Sequence, residues 1–478
     1  MSDQSSLKMF LNLPYDELEE LNLAAREKRD TISAEDQEHY YREYLEKEKC
    51  VKAVTLCFSD LEGRFHMLDY DKKFLLSSAD NLTFDGSSIR GFTAQCESDL
   101  RLQIDWTSFL WLPADLFGVG KVIVFANVLN RQGSQYASDF RGLLQQYLRD
   151  LQEKEGLQAL VSAELEGIVV EGANAEQRFD ERNGFNLIST SGYFHSLPRD
   201  PLRQFIDLSA SAQRAMGFRN EKDHPEVAPS QFEMNFSYTN ALRTADLIQL
   251  YKLVCRQVAN TMGLSATFLP KPIIGINGNG MHTNISLAKN SKNTFYDKNG
   301  QEHLSVVAHD FVSRILNHAP EICLILNSSV NSYRRLDPHF EAPNHIQVSP
   351  IDRGSMIRIP VGNERTARIE VRSVAPDANP YLLLYTLFQV GLTGETLPAT
   401  APNNGETRLL PGTIQEAIDL FASSKLIQKM LGKTNTEKYL SYKQAAADRS
   451  PRSLGIQVKT SEIVYHHEVT NQALWNRF

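Results

Sequence analysis

Two pairs of glutamates in this sequence could hold metal ions. Glu164 and Glu166 are separated by one residue in the apolar stretch ALVSAELEGIVVEG, whose pattern predicts a buried strand with both side chains on one face. Carboxylates paired inside a protein are costly unless cations neutralise them. Glu226 and Glu233 flank a segment, Ala-Pro-Ser-Gln, that can turn the chain and bring them onto facing strands. Together the four side chains predict a cation site, although an E-x-E pair taken alone is more often a solvated strand face.

One further carboxylate and one imidazole could complete the ligand set. Glu370 lies between Arg368 and Arg372 in a strand-like segment, where alternation places the three polar side chains on one face. His282 follows the segment NGNG at 277–280, whose glycines would let the backbone approach a ligand closely, and which is otherwise an ordinary turn. Five glutamates and one histidine form an oxygen-rich set that suits Mg²⁺ or Mn²⁺ rather than zinc.

Arginine is concentrated in one part of the chain. Seven arginines and no lysine lie between positions 334 and 372 of a chain that is acidic overall. A guanidinium group can bind carboxylate or phosphate through two hydrogen bonds, so this bias indicates anion recognition rather than general solubility. Metal ions and arginines on one surface would suit phosphoryl transfer, whereas a structural network of ion pairs is the alternative. The sequence has no Walker A or kinase-type glycine-rich loop, so a nucleotide would have to be bound in another way.

Short strands and helices must position these side chains. Residues 15–48 are rich in Glu, Lys, Arg and Tyr and predict one or two solvated helices, with Ser33 and Asp36 as a helix-start signal. Alternating segments after residue 50 predict strands, and helical and strand patterns mix beyond residue 137. The expected fold is α+β, with an N-terminal helical extension at 1–48, a small β-rich domain at 49–132 and a large second domain at 133–478.

The composition argues against several classes of protein. The chain has 478 residues, a net charge of −8 and an isoelectric point near 5.9, which disfavours general nucleic-acid binding. We find no apolar run of about 18 residues and no signal-peptide pattern at the N-terminus, so neither a membrane span nor secretion is expected. The five cysteines are scattered and indicate free thiols in a reducing cytoplasm.

Eight segments, in order and in spacing, resemble the type I glutamine synthetase family over nearly the whole chain after residue 50. They are FDGSSIRGF at 84–92, ESD at 97–99, ELE at 164–166, HPEVAPSQFE at 224–233, KPIIGINGNGMHTNISL at 271–287, NSYRRLDPHFEAP at 331–343, SMIRIPV at 355–361 and ARIEVRSVAPDANPYL at 367–382. The resemblance implies a small β-grasp-like domain, followed by a catalytic domain whose curved antiparallel sheet, with flanking helices, forms a funnel.

The same resemblance implies a role for each candidate residue. One metal ion would be held by Glu166, Glu226 and Glu233, and a second by Glu164, His282 and Glu370. The substrate amino acid would contact Asn277, Gly278, Arg335 and Arg372. ATP would be bound by Tyr238, Ser286, Arg353, Arg358 and Arg365. An ammonium pocket would comprise Asp85, Asp99, Tyr193 and Glu226, and Glu341 would close the site against water.

The implied reaction is the ATP-dependent amidation of L-glutamate by ammonia through γ-glutamyl phosphate, with two or more Mg²⁺ or Mn²⁺ ions. Asp85 would also accept the proton that makes ammonia nucleophilic. In the family the residue that matches Asp85 comes from the neighbouring subunit, so the resemblance implies an active oligomer, with a dodecamer of two stacked rings as the expected form.

Some features depart from the family pattern. Gly167 stands where many members carry an aromatic residue, Asn284 stands where a second histidine is common, and residues 1–48 have no family counterpart. One alternative is a family ligase that joins glutamate to a polyamine or another amine, against which the intact Asp85 and Asp99 argue. A non-catalytic family member is a second alternative, and the complete set of ligand carboxylates argues against it.

Overall fold

The structure is a computed structural model that describes residues 13–179, 184–195, 197–336, 342–396 and 407–448. Its helices are α1 (Tyr15–Thr31), α2 (Ala34–Lys47), α3 (Lys72–Ser78), α4 (Ala114–Phe117), α5 (Phe140–Glu155), α6 (Pro201–Ala215), α7 (Ala241–Thr261), α8 (Val306–Leu326), α9 (Val330–Arg335), α10 (Pro380–Thr393), α11 (Ile414–Ser423) and α12 (Lys425–Asp448). Its strands are β1 (Ala53–Ser59), β2 (Phe65–Asp71), β3 (Leu82–Asp85), β4 (Asp99–Ile104), β5 (Leu110–Trp111), β6 (Val122–Leu129), β7 (Leu157–Glu171), β8 (Asn220–Pro225), β9 (Gln231–Phe236), β10 (Thr239–Asn240), β11 (Leu264–Thr267), β12 (Met281–Lys289), β13 (Lys292–Asn293), β14 (His345–Ser349), β15 (Ser355–Arg358) and β16 (Ile369–Val371). These elements confirm the predicted α+β class.

The N-terminal segment forms two helices as predicted, but one face of each packs against the core and is buried rather than solvated. The hydroxyl of Ser33 accepts a hydrogen bond of 3.1 Å from the backbone N–H of Asp36, which caps α2 as the sequence predicts. Asn22 on α1 donates to the carbonyls of Trp111 and Ala215 and accepts from the N–H of Trp111. Because Trp111 lies on β5 and Ala215 ends α6, α1 is hydrogen-bonded to both sheet-containing parts of the chain.

The smaller sheet lies between residues 53 and 129 and has the strand order β2-β1-β6-β4-β3, with β5 also paired to β6. Strands β1 and β6 run parallel, and the other pairs are antiparallel. Strand β6 is buried along nearly its whole length and forms the centre of the sheet. Asp85 and Asp99 stand opposite each other in the β3–β4 pair at its edge.

The larger sheet has the order β14-β15-β16-β12-β7-β9-β8, and β10 and β11 also pair with the long strand β7. Its pairs are antiparallel except for β14 and β15, which run parallel and so depart from the predicted antiparallel sheet. Strand β7 lies within this order, with β12 on one side and β9 on the other. Along most of β7 apolar side chains such as Leu165 are fully buried on one face of the sheet, and the intervening side chains point to the other, more open face.

Helices cover the closed face of the larger sheet. Side chains of β7, α7, α8 and α10 meet in one apolar core, in which Leu165, Tyr251, Phe311 and Phe388 are buried. Helix α10 is buried along most of its length. Within the ranges that the structure describes, no helix is both long and apolar enough to span a membrane. Because helices cover only one face of the larger sheet, its opposite, polar face is available to form a site.

Candidate active site

Neighbouring strands of the larger sheet bring the predicted ligands onto one face. Glu164 stands opposite His282 across the β7–β12 pair, and Glu166 stands opposite Glu233 across the β7–β9 pair. Directly opposed residues point to the same face of a sheet, so the four side chains converge. Glu226 directly follows β8, and its N–H donates to the carbonyl of the first residue of β9 at 2.8 Å. This contact confirms the turn predicted between Glu226 and Glu233.

The distances between these side chains suit metal ligands. His282 Nδ1 lies 3.5 Å from Glu164 Oε2, and His282 Nε2 lies 4.0 Å from Glu166 Oε1. Among the residues that the structure describes, two groups have ligand atoms within 4.8 Å of one another: Glu164, Glu233 and His282, and His224, Glu226 and Glu233. Glu233 belongs to both groups, so the clusters share a carboxylate at their centre.

Burial and mutual repulsion oppose ionisation of part of this cluster. Burial and the negative charge of Glu166 raise the pKa of Glu226 to about 7. Burial and the charges of Glu166 and Glu164 raise the pKa of Glu233 well above its usual value. For Glu164, burial also opposes ionisation, but hydrogen bonding to His282 and its charge prevail and lower the pKa to about 2. Divalent cations would relieve this repulsion, so the donor set fits metal binding.

Glu370 is held differently from the other predicted ligands. It is fully buried, and its two oxygens accept hydrogen bonds of 2.6 Å, one from Arg358 Nε and one from Arg372 Nη1. His282 Nδ1 lies 3.8 Å from the oxygen that Arg372 contacts. The two arginines therefore neutralise Glu370. Its role as a metal ligand stays a prediction, because one arginine would have to release a carboxylate oxygen before that oxygen could bind a metal ion.

The glycines at 278 and 280 make room for neighbouring atoms. A Cβ at Gly280 would lie 2.6 Å from Arg335 Nη2, and one at Gly278 would lie 2.4 Å from the carbonyl oxygen of Pro270. Arg335 is buried, and its Nη2 donates to the carbonyl of Arg372 at 3.0 Å. Its Nη1 is also buried and has no hydrogen-bond partner among the described residues. A substrate carboxylate could bind this nitrogen.

Most of the predicted site residues line two adjoining cavities. The first cavity has a volume of about 240 Å³ and is lined by Glu164, Glu166, Tyr193, Glu226, Glu233, Asn277, Gly278, His282, Arg335, Arg353, Arg358 and Arg372. The second cavity has a volume of about 390 Å³, and its lining includes Tyr238, Ser286 and Arg365. Glu164 lines both cavities and therefore marks their junction.

The two departures from the family pattern that lie in the larger domain, Asn284 and Gly167, have a structural explanation. Asn284 Nδ2 donates to Glu164 Oε1 at 3.0 Å, and Asn284 Oδ1 accepts from Arg368 Nε at 2.9 Å. Asn284 thus ties a predicted metal ligand to an arginine that lines both cavities. At Gly167 a Cβ would lie 2.5 Å from Cζ of Phe232. An aromatic ring therefore fills this space from the partner strand.

His224 is a site residue that the sequence analysis missed. Its Nδ1 lies 3.1 Å from the carbonyl of Pro225, and its Nε2 lies 3.6 Å from Glu233 Oε1. Burial lowers the pKa of the His224 imidazole, which favours the neutral ring. With Nδ1 donating to the carbonyl, Nε2 is left as an acceptor that could bind a metal ion. The sequence signal for His224 was its position two residues before Glu226, because residues two apart on a strand share a face.

Three predicted residues that the structure describes, Asp85, Asp99 and the buried Glu370, line neither cavity. Asp85 and Asp99 are exposed. The hydroxyls of Ser87 and Ser88 each donate to the Asp85 carboxylate at 2.6 Å and lower its pKa. Glu341 falls outside the residues that the structure describes, so its role in closing the site stays a prediction.

Family models and known proteins match most of the chain. Residues 50–131 match the β-grasp domain of glutamine synthetase, and residues 137–455 match its catalytic domain. The chain is 35% identical to the glutamine synthetase of Clostridium saccharobutylicum, over 84% of this chain and 94% of that protein. It is also 35% identical to the enzyme of Thermus thermophilus, over 83% of this chain and 92% of that protein.

Solved structures share the fold. The cryo-EM structure of Plasmodium falciparum glutamine synthetase superposes with a TM-score of 0.76 at 21% identity, covering 86% of this chain and 95% of that one. A GmaS–ADP complex superposes with a TM-score of 0.71 at 25% identity, covering 84% of this chain and 94% of that one. With both domain models matched and relatives at about a third identity, the chain belongs to the glutamine synthetase family of ATP-dependent ligases.

Proposed function

We propose that the protein catalyses the ATP-dependent amidation of L-glutamate by ammonia, with γ-glutamyl phosphate as the intermediate. The observation that carries this proposal is the junction of the two cavities at Glu164. A nucleotide in the second cavity would direct its terminal phosphate to this junction. An amino acid in the first cavity would present its side-chain carboxylate from the other side, which brings the two reacting groups together.

Divalent cations would be held at this junction by the glutamates and His282. The family resemblance assigns Glu166, Glu226 and Glu233 to one ion and Glu164, His282 and Glu370 to another. His224 is a further candidate, because its Nε2 lies close to Glu233. When bound, Mg²⁺ or Mn²⁺ ions would offset negative charge on the transferring phosphate.

Arginines would orient the substrates. Arg335 would bind the α-carboxylate of glutamate through its buried Nη1, with Asn277 and Gly278 contacting the rest of the amino acid. Arg372 would approach the γ-carboxylate. Arg353 and Arg358 would contact the phosphates, while Tyr238, Ser286 and Arg365 would hold the remainder of the nucleotide. Fixed guanidinium groups stabilise charge on the transferring group without reorganisation during the reaction.

Ammonia would attack the acyl phosphate from a pocket that two chains build together. Tyr193 and Glu226 line the first cavity, whereas Asp85 and Asp99 are exposed elsewhere on the same chain. We propose that Asp85 enters the cavity of a neighbouring subunit and accepts a proton from ammonium. The protein would then act as an oligomer, and a dodecamer is the form that the family resemblance implies.

An assay of phosphate release tests the choice of nucleophile. We expect release to require L-glutamate and to rise strongly with ammonium, but not with putrescine or ethanolamine. The alternative is a ligase of the same family that uses a larger amine, and the apolar side chains of Phe194 and Val227 in the first cavity would favour it. A stronger response to either amine than to ammonium would decide for that alternative.

A substitution at Asp85 tests the ammonium pocket. We expect Asp85→Ala to lower amide formation by about 10²-fold or more, because a general base is lost. Binding of ATP and Mg²⁺, measured by calorimetry, should be retained. Asp80→Ala is the matched control, since Asp80 is also an exposed carboxylate of the smaller domain, and it should leave the rate unchanged. Loss of metal binding in Asp85→Ala would mean that the pocket has been misplaced.

A further inference from the structure

A group of arginines lies between the N-terminal helix α1 and the start of α7. Arg26 and Arg29 are on α1, and Arg243 is in the first turn of α7, where its backbone N–H donates to Asn240 Oδ1. The N-terminus of a helix carries partial positive charge, which adds to that of the guanidinium groups. A positive field is therefore concentrated where the extension meets the catalytic domain.

Carboxylates do not balance this charge. In the described part of the chain, the charged groups that act on Arg26, Arg29 and Arg243 include one further cation, Arg219, and the carboxylates Asp30, Asp105 and Asp246. Two of these anions are engaged elsewhere, since Arg141 Nη2 lies 2.8 Å from Asp105 and 2.9 Å from Asp246. The third, Asp30, lies 3.9 Å from Arg243 and is largely exposed. Burial and the charges of Arg29 and Arg26 lower the pKa of Arg243 to about 8.

Hydrogen-bond donors are also left over. Arg243 is only 6% exposed, and its Nε and Nη1 are buried without a hydrogen-bond partner in the part of the chain that the structure describes. The Nε of Arg29 is likewise buried and has no hydrogen-bond partner among the described residues. Buried polar groups of this kind cost free energy unless a ligand or a water molecule satisfies them.

A small cavity lies beside these side chains. It has a volume of about 20 Å³, and Arg29, Arg243, Asn22, Ser108 and Asp246 contribute to its lining, which is otherwise apolar. A cavity of about 10–15 Å³ or more, on this measure, can hold one particle of the size of water. Phosphate and carboxylates are too large for it, whereas a halide ion is only slightly larger than water.

The acceptors in the lining already receive hydrogen bonds from protein donors. Both carboxylate oxygens of Asp246 accept from Arg141, and one also accepts from Tyr381. The side-chain oxygen of Asn22 accepts from the N–H of Trp111. Some of these oxygens keep a lone pair, so charge distinguishes the two occupants: an anion accepts from the free donors and also offsets the positive charge of Arg29 and Arg243, whereas a water molecule leaves that charge unbalanced.

We propose that this cavity is a binding site for a small monovalent anion of the chloride class. The anion accepts hydrogen bonds from Arg29 and Arg243 and links α1 to α7. Because one of these arginines is on the extension, the bound ion stabilises the docking of residues 15–31 on the catalytic domain. This site is separate from the two cavities of the candidate active site, so it does not depend on the proposed reaction.

Crystals of the full-length protein soaked in sodium bromide test the site directly. We expect an anomalous-difference peak between the Arg29 and Arg243 side chains. Bromide peaks elsewhere on the protein with none in this cavity would overturn the proposal, and would leave a water molecule as the occupant. The result does not depend on any variant that could fail to fold.

Thermal unfolding gives a second test in solution. At constant sodium concentration, replacing isethionate by chloride should raise the Tm by a few degrees, and the increase should saturate with chloride concentration. Arg243→Met should abolish this increase. Arg219→Met is the matched control because Arg219 belongs to the same group but is exposed, and the increase should persist in it. Equal Tm values in the two salts, or an undiminished chloride effect in Arg243→Met, would refute the site.

Discussion

At the scale of single residues, Glu226 and Glu233 are the two carboxylates of the first cavity whose pKa values are raised. Burial and neighbouring carboxylates raise the pKa of both, to about 7 for Glu226. In the absence of metal ions the folded protein therefore retains protons that the unfolded chain releases. Metal binding must displace these protons, so metal affinity and pH are linked.

The metal-free protein should lose stability as pH rises. The folded pKa of Glu226 is raised from 4.5 to about 7, so the folded state binds more protons than the unfolded state between these values. The free energy of unfolding should then fall through this window and stay low above it. We expect Tm in EDTA to decrease between about pH 5 and pH 8, and saturating Mg²⁺ to remove most of the decrease.

A Glu226→Gln variant is the control for that experiment. It cannot release the proton, so its Tm in EDTA should depend less on pH than that of the unmodified protein. Equal pH dependence in the two proteins would show that Glu226 is not responsible. Because Glu233 titrates in the same cluster, we expect the dependence to be reduced rather than abolished.

Most of the cavity residues could be predicted from the sequence because their types are unusual in their surroundings. Glu164 and Glu166 stand out in an apolar strand, and arginine replaces lysine over a long segment. The signal for His224 was weaker, since only its spacing of two residues from Glu226 pointed to a shared face. The ion pair of Glu370 with Arg358 was also hidden, because it depends on cross-strand register, which the sequence does not state.

At the scale of elements, helix α12 holds the loop that follows Asp85. The N–H of Gly91 donates to Tyr442 Oη at 2.9 Å, and Lys443 Nζ lies 2.8 Å from Glu62 Oε1. Glu62 in turn lies 2.9 Å from Arg90 Nε. The FDGSSIRGF segment is thus anchored at its end by this ion-pair network, while the Asp85 side chain near its start is exposed.

Removing Lys443 should loosen this anchor. Lys443→Met leaves the buried Glu62 carboxylate short of one partner and should lower the free energy of unfolding by about 3 kcal/mol. Urea unfolding measures this loss. If this loop positions Asp85 in the ammonium pocket, the KM for ammonium should rise more than the KM for ATP.

Lys433→Met is the control for that prediction. Lys433 is on the same helix, but its ion pair with Glu437 is exposed, so its loss should cost less than about 0.5 kcal/mol. A proportional rise of both KM values in Lys443→Met would point to a general structural defect instead of a displaced loop.

Which elements exist was easier to predict than how they pair. Periodicity alone indicated β7, β12, α5 and α7, because apolar and polar residues alternate at the spacing of a strand or a helix along each of them. The parallel pairing of β14 with β15 was not predicted, since a short strand carries the same pattern in either direction. The sharing of Glu233 by two ligand groups likewise follows only from the three-dimensional arrangement.

At the scale of the whole molecule, one chain does not bring all its proposed catalytic residues together. Glu233 lies in the first cavity, and Asp85 is exposed at the edge of the smaller sheet. If Asp85 serves a neighbouring subunit, then two differently inactivated chains should complement each other. The sequence predicted this only through the family resemblance, because contacts between chains leave no pattern within one chain.

Co-expression of Asp85→Ala and Glu233→Gln chains tests the shared site. Each variant alone should be nearly inactive, whereas mixed oligomers should recover up to about one quarter of the normal rate, because random pairing places an intact Glu233 beside an intact Asp85 at about one interface in four. The mixture of separately assembled oligomers is the control and should remain inactive. Failure of co-expressed chains to recover activity would place both residues in the site of one chain.

The contact between Gly167 and Phe232 has a consequence for the history of the family. A side chain at 167 would overlap the Phe232 ring, so a larger residue is tolerated there only if a smaller one occupies 232. The two positions are therefore epistatic: Gly167→Phe alone should prevent the strands from pairing, while exchange of both residues keeps the volume constant. Relatives should show correlated substitution at the two sites.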